Sequence, residues 1–428
     1  MKLSRRALIA SAPLLLAGIG SARAFTLSAK SGDQTVDVQA AIDGAIGHDG
    51  TIVLGPGTFK VGPLSIAGDV QIVGTPGQTV LKSITGETIL AIATSHTVSL
   101  TGISFASKSL KGDLVAAENV QRLLVQDCSF AGGGTGLKLR NCGGRITGNT
   151  FKYQQSTGFF SLDATGLEIS GNTISDIGNN GILVWRSELG EDGSIISNNR
   201  MSRIAAEDGG SGQNGNGIAL YRAGNVIISN NRISDCAYSG IRDNSGSNVV
   251  ISGNNISRTN EVALYVEFAF QGASVTGNVI EDAAFGISVT NLDVDGRLAV
   301  VDGNLLRRIK GSNLHGGVEG TGIGVEADTV VSNNVIEDAS FVGLHLGWGD
   351  KGRNITAIGN ILRHCNYGIS VSVADGFGDT LIANNMIDGS KKLAIAGFTW
   401  DKLVTGDLAA AGANVPAMVK LSNNIIRN

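Results

Sequence analysis

From residue 51 onward, apolar residues fall two apart in short runs, and the runs are cut by Gly, Asn and Asp. Period two is the signature of strands that bury one face. Two phrases organise the runs. The first is an apolar residue, a small residue, Gly or Asn, then Asn, any residue and an aliphatic or aromatic one. It reads Ile146-Thr147-Gly148-Asn149-Thr150-Phe151 and then Ile169-Ser170-Gly171-Asn172-Thr173-Ile174, and later copies centre on Asn199, Asn231, Asn254, Asn278, Asn304, Asn334, Asn360, Asn385 and Asn424. Weaker copies precede them at Leu100-Thr101-Gly102-Ile103-Ser104-Phe105 and Val125-Gln126-Asp127-Cys128-Ser129-Phe130. The asparagines are 23 to 39 residues apart, the length of a coil of three short strands and three turns with variable additions. The second phrase, usually eight or nine residues after each asparagine, is Gly and an aliphatic opening an alternating strand, as in Gly181-Ile182-Leu183-Val184 and Gly286-Ile287-Ser288-Val289.

Stacked coils bury the alternating face in one aliphatic core, and each repeated Asn can bond to its copies above and below. Helical repeats need long glycine-free runs of period 3.6, and these are missing. The expected fold is all-β: a right-handed parallel β-helix, a solenoid of roughly 12–14 coils, with an N-terminal capping helix. That helix is VDVQAAIDGAI (36–46), whose Val38, Ala41, Ile42, Ala45 and Ile46 can cover the first coil. The expected division is a signal peptide over 1–24, a capping segment over 25–50 and the repeat domain over 51–428. The long last interval contains Trp400 to Met418, which can fold back over the far end.

Composition supports one elongated unit: Gly 61, Pro 5, aromatics 5% and charged residues 16%. A net charge of −4 gives no reason to expect nucleic acid or an anionic membrane surface as partner. Cys236 and Cys365 each sit five residues after a repeat asparagine, five coils and so roughly 24 Å apart, beyond disulfide reach. With Cys128 and Cys142 they read as small core residues. At the start, Arg5 and Arg6 precede an apolar run too short to span a bilayer, and Ala22-Arg23-Ala24 offers a small-x-small cleavage site. This is the form of a twin-arginine export signal, so the export machinery is an expected partner, the location is the periplasm or outside, and no membrane span is expected in the mature chain.

The capping helix, the opening GTIVLGPGTF (50–59) and the Asn-bearing coils resemble the pectin-lyase-like superfamily of right-handed β-helices. The leader joined to this array resembles a family of exported bacterial repeat proteins. The resemblance spans essentially the whole mature chain. It implies the fold and admits polysaccharide lyases, hydrolases, epimerases and non-catalytic surface proteins, with no catalytic motif carried over.

Twice the interval from Asn to Gly lengthens to 18 residues, at EDGGSGQNGN (207–216) before Gly217 and KGSNLHGGVE (310–319) before Gly322. The two loops leave the same corner four coils apart, about 19 Å, and should wall a trough. Alternation places Tyr221, Arg242, Asn244, Tyr265, Glu267, Ser288, Thr290 and Glu326 outward along it, with Trp185 one coil before and His345 one coil beyond. Aromatic rings stack on sugar faces and a guanidinium grips carboxylates, so the expected ligand is an acidic polysaccharide, with Trp185, Tyr221, Asn244, Ser288, Thr290, Glu326 and His345 binding it. Arg242, Tyr265 and Glu267 are the catalytic candidates. A lyase or epimerase would use Arg242 to neutralise a uronate and Tyr265, its pKa lowered, to move a proton. A hydrolase would pair Glu267 with Glu207, Asp208, Glu319 or Glu326. A structural Arg242–Glu267 salt bridge and a non-catalytic envelope scaffold compete with these roles. Asp243 should turn inward. No cofactor is expected. Ca²⁺ is the one ion for which Asn291-Leu-Asp293-Val-Asp295 and Glu326-Ala-Asp328 offer spacing, and solvated turn residues are the simpler account of both.

Overall fold

A computed structural model describes residues 24–46, 50–314 and 317–427. Arg5, Arg6, Ala22, His48 and His315 lie outside them, and Ala24 opens the first strand, Ala24–Leu27. The strands stack in parallel, with one antiparallel hairpin near the end. Two faces of the coil merge into a sheet of 29 strands, because strands such as Leu90–Thr101 and Val115–Gln126 bend from one face onto the next. The third face is a separate sheet of 15 strands, from Gly57–Val61 to Ile425–Arg427, and it sets the number of turns at about 15. The asparagine phrase and its weaker copies mark all but the first two of these turns. Those two lack the phrase but contribute Phe59 and Leu81 to the same inward stack.

The repeated asparagine fixes the corner between two faces. Asn172 accepts from the backbone N–H of Asn149 at 2.9 Å and from its side-chain amide at 3.0 Å, and donates to the Ile146 carbonyl at 2.9 Å. The pattern repeats without a break to Asn424. Each buried amide is satisfied mainly by its neighbours in adjacent coils, so the ladder sets their register. The residue before each ladder asparagine has φ between 52° and 70° and is always Gly or Asn. These residues tolerate the left-handed conformation best.

Inside, Phe105, Phe130 and Phe151 stack with centroids 5.3 and 4.6 Å apart, and aliphatic side chains continue the column. Cys128, Cys142, Cys236 and Cys365 are buried free thiols. Outside, a left-handed position on the third face carries Asp176, Arg203, Asp235, Arg258, Asp282, Arg308, Asp338 and His364 in successive coils. Their signs alternate, with pairs such as Arg203–Asp176 at 2.5 Å, Arg258–Asp235 at 2.6 Å and Arg308–Asp282 at 2.8 Å.

Segments outside the coils pack onto both ends of the core. The helix α1 (Thr35–Ala45) buries Val38, Ala41, Ile42 and Ala45 against the first coils. At the other end Leu393–Thr399 and Lys402–Asp407 form the antiparallel hairpin, and Leu408, Ala409, Val415 and Met418 then pack onto the core. No described helix is long and apolar enough to cross a membrane.

Candidate functional site

Register places the outward residues of one face in two columns. The first runs Leu183, Ala219, Arg242, Tyr265, Ser288, Gly324, His345. The second begins Trp185, Tyr221, Asn244, Glu267. Thr290 and Glu326 continue its alternation. Phe160, Trp185 and Tyr221 meet edge to face, with centroids 5.4 and 5.9 Å apart.

The middle of this face is closed by one guanidinium. Arg242 donates through Nε to Glu267 at 2.5 Å and through Nη1 to the Gly212 carbonyl of the first long loop at 2.5 Å. Nη1 also lies 3.6 Å from Glu261, and the group sits 5.3 Å from the Tyr265 ring centre. Glu267 is almost wholly covered, at 2% exposure. The loop that lies over the strands, which alternation does not describe, buries the pair. Arg242 therefore keeps little of its guanidinium free to grip a substrate carboxylate, although it still lines the cavity on its N-terminal side. Tyr265 also departs from the expectation: burial, then the charges of Glu267 and Glu261, push its hydroxyl above the usual tyrosine range rather than below it. Asp243 turns inward as alternation requires. It is fully buried, no side-chain hydrogen bond to its carboxylate is found among the described residues, and burial raises its pKa to about 7.

On either side of Arg242 the face opens. Toward the N-terminus a cavity of about 410 Å³ is lined by Trp185, Tyr221, Asn244, Arg242 and the tip of the first loop. Toward the C-terminus a cavity of about 380 Å³ is lined by Tyr265, Ser288, Thr290, Glu326 and His345, with Glu261 and Glu319 on its sides and Phe285, Phe341 and Trp348 among its apolar walls. Burial raises the pKa of Glu326, although one oxygen accepts from the Leu292 N–H at 2.7 Å. Glu319 is raised too, by burial and then by the charge of Asp401. His345 Nδ1 is 2.6 Å from the buried hydroxyl of Ser370, and burial lowers its pKa to about 4, so the imidazole is neutral at pH 7. Three carboxylates and a neutral imidazole around one opening can donate and accept protons, and no Lys or Arg is found among the described residues that line it.

Other candidates go elsewhere. Glu207 accepts from Gln155 at 2.8 Å and Asp208 from Asn179 at 2.7 Å, and neither lines the C-terminal cavity. Leu292–Val294 is a 3₁₀ turn, which leaves Asp293 and Asp295 exposed and off any strand face. Asp328 is held by Arg353 at 3.2 Å and Arg297 at 3.8 Å. Sequence reasoning missed Glu261, Phe285, Phe341 and Trp348, because they sit at corners or strand ends, where period two says nothing about direction. The one available signal was Trp348, three residues beyond His345 in the same segment.

The family described as "Right handed beta helix region" matches residues 80–201 and 188–326. A comparison with curated proteins gives no match. Among solved structures, gene product 12 of bacteriophage phi29 is similar at 13% identity with a TM-score of 0.59, over 90% of this chain and 57% of that one. The A-module of an Azotobacter vinelandii mannuronan C-5 epimerase gives 17% identity and a TM-score of 0.43, over 94% and 99%. A mannuronic acid specific polysaccharide family 6 lyase from human gut microbiota gives 14% and 0.48, over 84% and 86%. At such identities the likeness is one of fold. The two matched stretches together take in more than half of the sequence, and the chain belongs to the right-handed beta helix family.

Proposed function

We propose that this protein is an exported β-helix that binds a polysaccharide lengthwise along its trough and hydrolyses it in the acid-lined cavity. The observation that carries the reading is the 380 Å³ opening in which Glu261, Glu319 and Glu326 face Tyr265 and the neutral His345. Glycoside hydrolysis needs one carboxyl that holds a proton and one carboxylate that acts on water or on the anomeric carbon. Glu326, raised by burial, is assigned as the acid, and Glu319 as its partner. Elimination or epimerisation of a uronate by Arg242 and Tyr265 would need the guanidinium free and the tyrosine acidified. The engagement of Arg242 and the upward shift of Tyr265 place those reactions second. The same engagement favours a hydroxylated, largely uncharged chain over an acidic one. Export by the twin-arginine route follows from Arg5, Arg6 and the small residues Ala22 and Ala24.

The buried Arg242–Glu267 pair gives specific support to a second reading, in which the face is an envelope binding or scaffolding surface without turnover. A panel of neutral and uronate polymers separates the two, assayed for new reducing ends and for the absorbance of unsaturated ends. New reducing ends that disappear in Glu326→Gln support hydrolysis; binding without product supports the scaffold. Absorbance from unsaturated ends would overturn the assignment in favour of a lyase. Arg5→Lys with Arg6→Lys should hold the protein in the cytoplasm, and unchanged fractionation would remove the export route.

A further inference from the structure

The chain has three tryptophans, and two of them meet beyond the second loop. Trp348 follows the trough strand Val342–Leu346 and lines the C-terminal cavity, its ring 6.0 Å from that of His345. It starts a tight turn that closes on Lys351 through Gly349 at φ 58°. Trp400 occupies the tip of the C-terminal hairpin at φ 55°. A bulky side chain in the left-handed region is a conformational outlier, while the other corners of this solenoid mostly use Gly, Asn or Asp there.

The hairpin is long enough to lay the Trp400 ring over Gly349, where an added Cβ would lie 2.4 Å from the indole. The ring meets Trp348 edge to face at 5.9 Å. Both indoles stay open to solvent, at 42% and 44% exposure. Two carboxylates at this wall act on each other, since Asp401, next to Trp400, bears on Glu319, while the neighbouring Lys351 is paired with Asp350 at 3.1 Å.

We propose that Trp348 and Trp400 form a subsite that takes an uncharged pyranose ring, continuing the trough past its second wall. The proposal rests on the trough reading and adds a position and a charge preference to it. A pyranose with equatorial hydroxyls presents a face of C–H bonds, which stacks on an indole. Its hydroxyls can donate to Glu319 and Asp401, whereas a uronate carboxylate there would meet like charge. The left-handed Trp400 and the bare Gly349 beneath it hold the ring without help from ligand, so little ordering cost falls on binding.

The test uses the full chain and three probes: cellohexaose, mannohexaose and a galacturonate hexamer. Titration is read by calorimetry and by the intrinsic tryptophan fluorescence of the wild-type and variant chains. Trp348→Ala should weaken binding of a neutral hexasaccharide by about tenfold. Trp400→Asn should do the same while keeping a residue that accepts the left-handed turn, and a circular dichroism melt guards against misfolding. Wild-type binding to a neutral probe that both folded variants retain in full would overturn the subsite and leave the trough reading standing. Tighter wild-type binding of the galacturonate, lost on either substitution, would overturn the charge preference. No binding of any probe by the folded wild type would sink the trough reading and the subsite together.

Discussion

Asp243 and Arg242 are neighbours in sequence and face opposite ways, and the contrast sets the chemistry of this face. Asp243 points into the core with a pKa raised from 3.8 to about 7. Between those values the folded state keeps a proton that the unfolded state has lost, so stability falls as pH rises through the window. Asp243→Asn should therefore raise the melting temperature at pH 7.5, by up to about 4 kcal/mol in stability, and flatten its dependence between pH 4 and 7. Melts across that range that parallel wild type would contradict a buried acid that holds its proton in the fold. Arg242 points outward into a covered pair. Arg242→Ala should cost about 3–5 kcal/mol because it strands the Glu267 charge, whereas Arg242→Met with Glu267→Leu should be nearly neutral. Denaturant melts of the three proteins decide this, and a mild single-variant loss would return Arg242 to the list of free functional groups. Alternation gave the direction of both residues correctly. It could not show that Gly212, thirty residues earlier, would lie on the guanidinium.

At the level of the coil, the local rules are the left-handed corner and the ladder behind it. Gly253 precedes Asn254 at φ 65°, and an added Cβ there would lie 2.7 Å from Asn230 Oδ1. Gly253→Val should cost about 1–2 kcal/mol from backbone strain alone. Asn230→Gly, at φ 56° in the preceding coil, should be tolerated. Equal losses in thermal melts would mean that the corner conformation is not what selects Gly and Asn. The alternating ladder Asp176 to His364 makes a separate demand. Asp235 lies between Arg203 and Arg258, so Asp235→Lys should lower the melting temperature in dilute buffer and recover most of the loss in about 1 M salt. A loss that salt leaves unchanged would point to packing rather than charge. The phrase around each asparagine was plain in the sequence. The charge ladder was not, because its members are 23 to 32 residues apart, and only coil stacking makes them neighbours.

For the molecule as a rod, each coil contacts mainly the coils next to it, so the ends carry a disproportionate burden. Ile42, fully buried in α1, should be critical: Ile42→Asp should expose the first coil edge and turn a dispersed protein into one that associates, as read by light scattering. Scattering like that of wild type would show that the helix is dispensable. At the far end the sequence offered Trp400 to Met418 as a segment able to fold back; the hairpin and the packing of Leu408, Val415 and Met418 came from structure. The two long loops and the face between them were also legible, since spacing and period two are properties of the chain itself. By itself the sequence determined the path of the solenoid and the face on which each outward side chain stands, because strand alternation and left-handed corners are settled within a few residues. Only the tertiary structure decided which outward groups cancel one another and which line open space. Ionisation and access depend on what neighbouring coils and overlying loops bring near, and here that closed the face at Arg242 and opened it at Glu326.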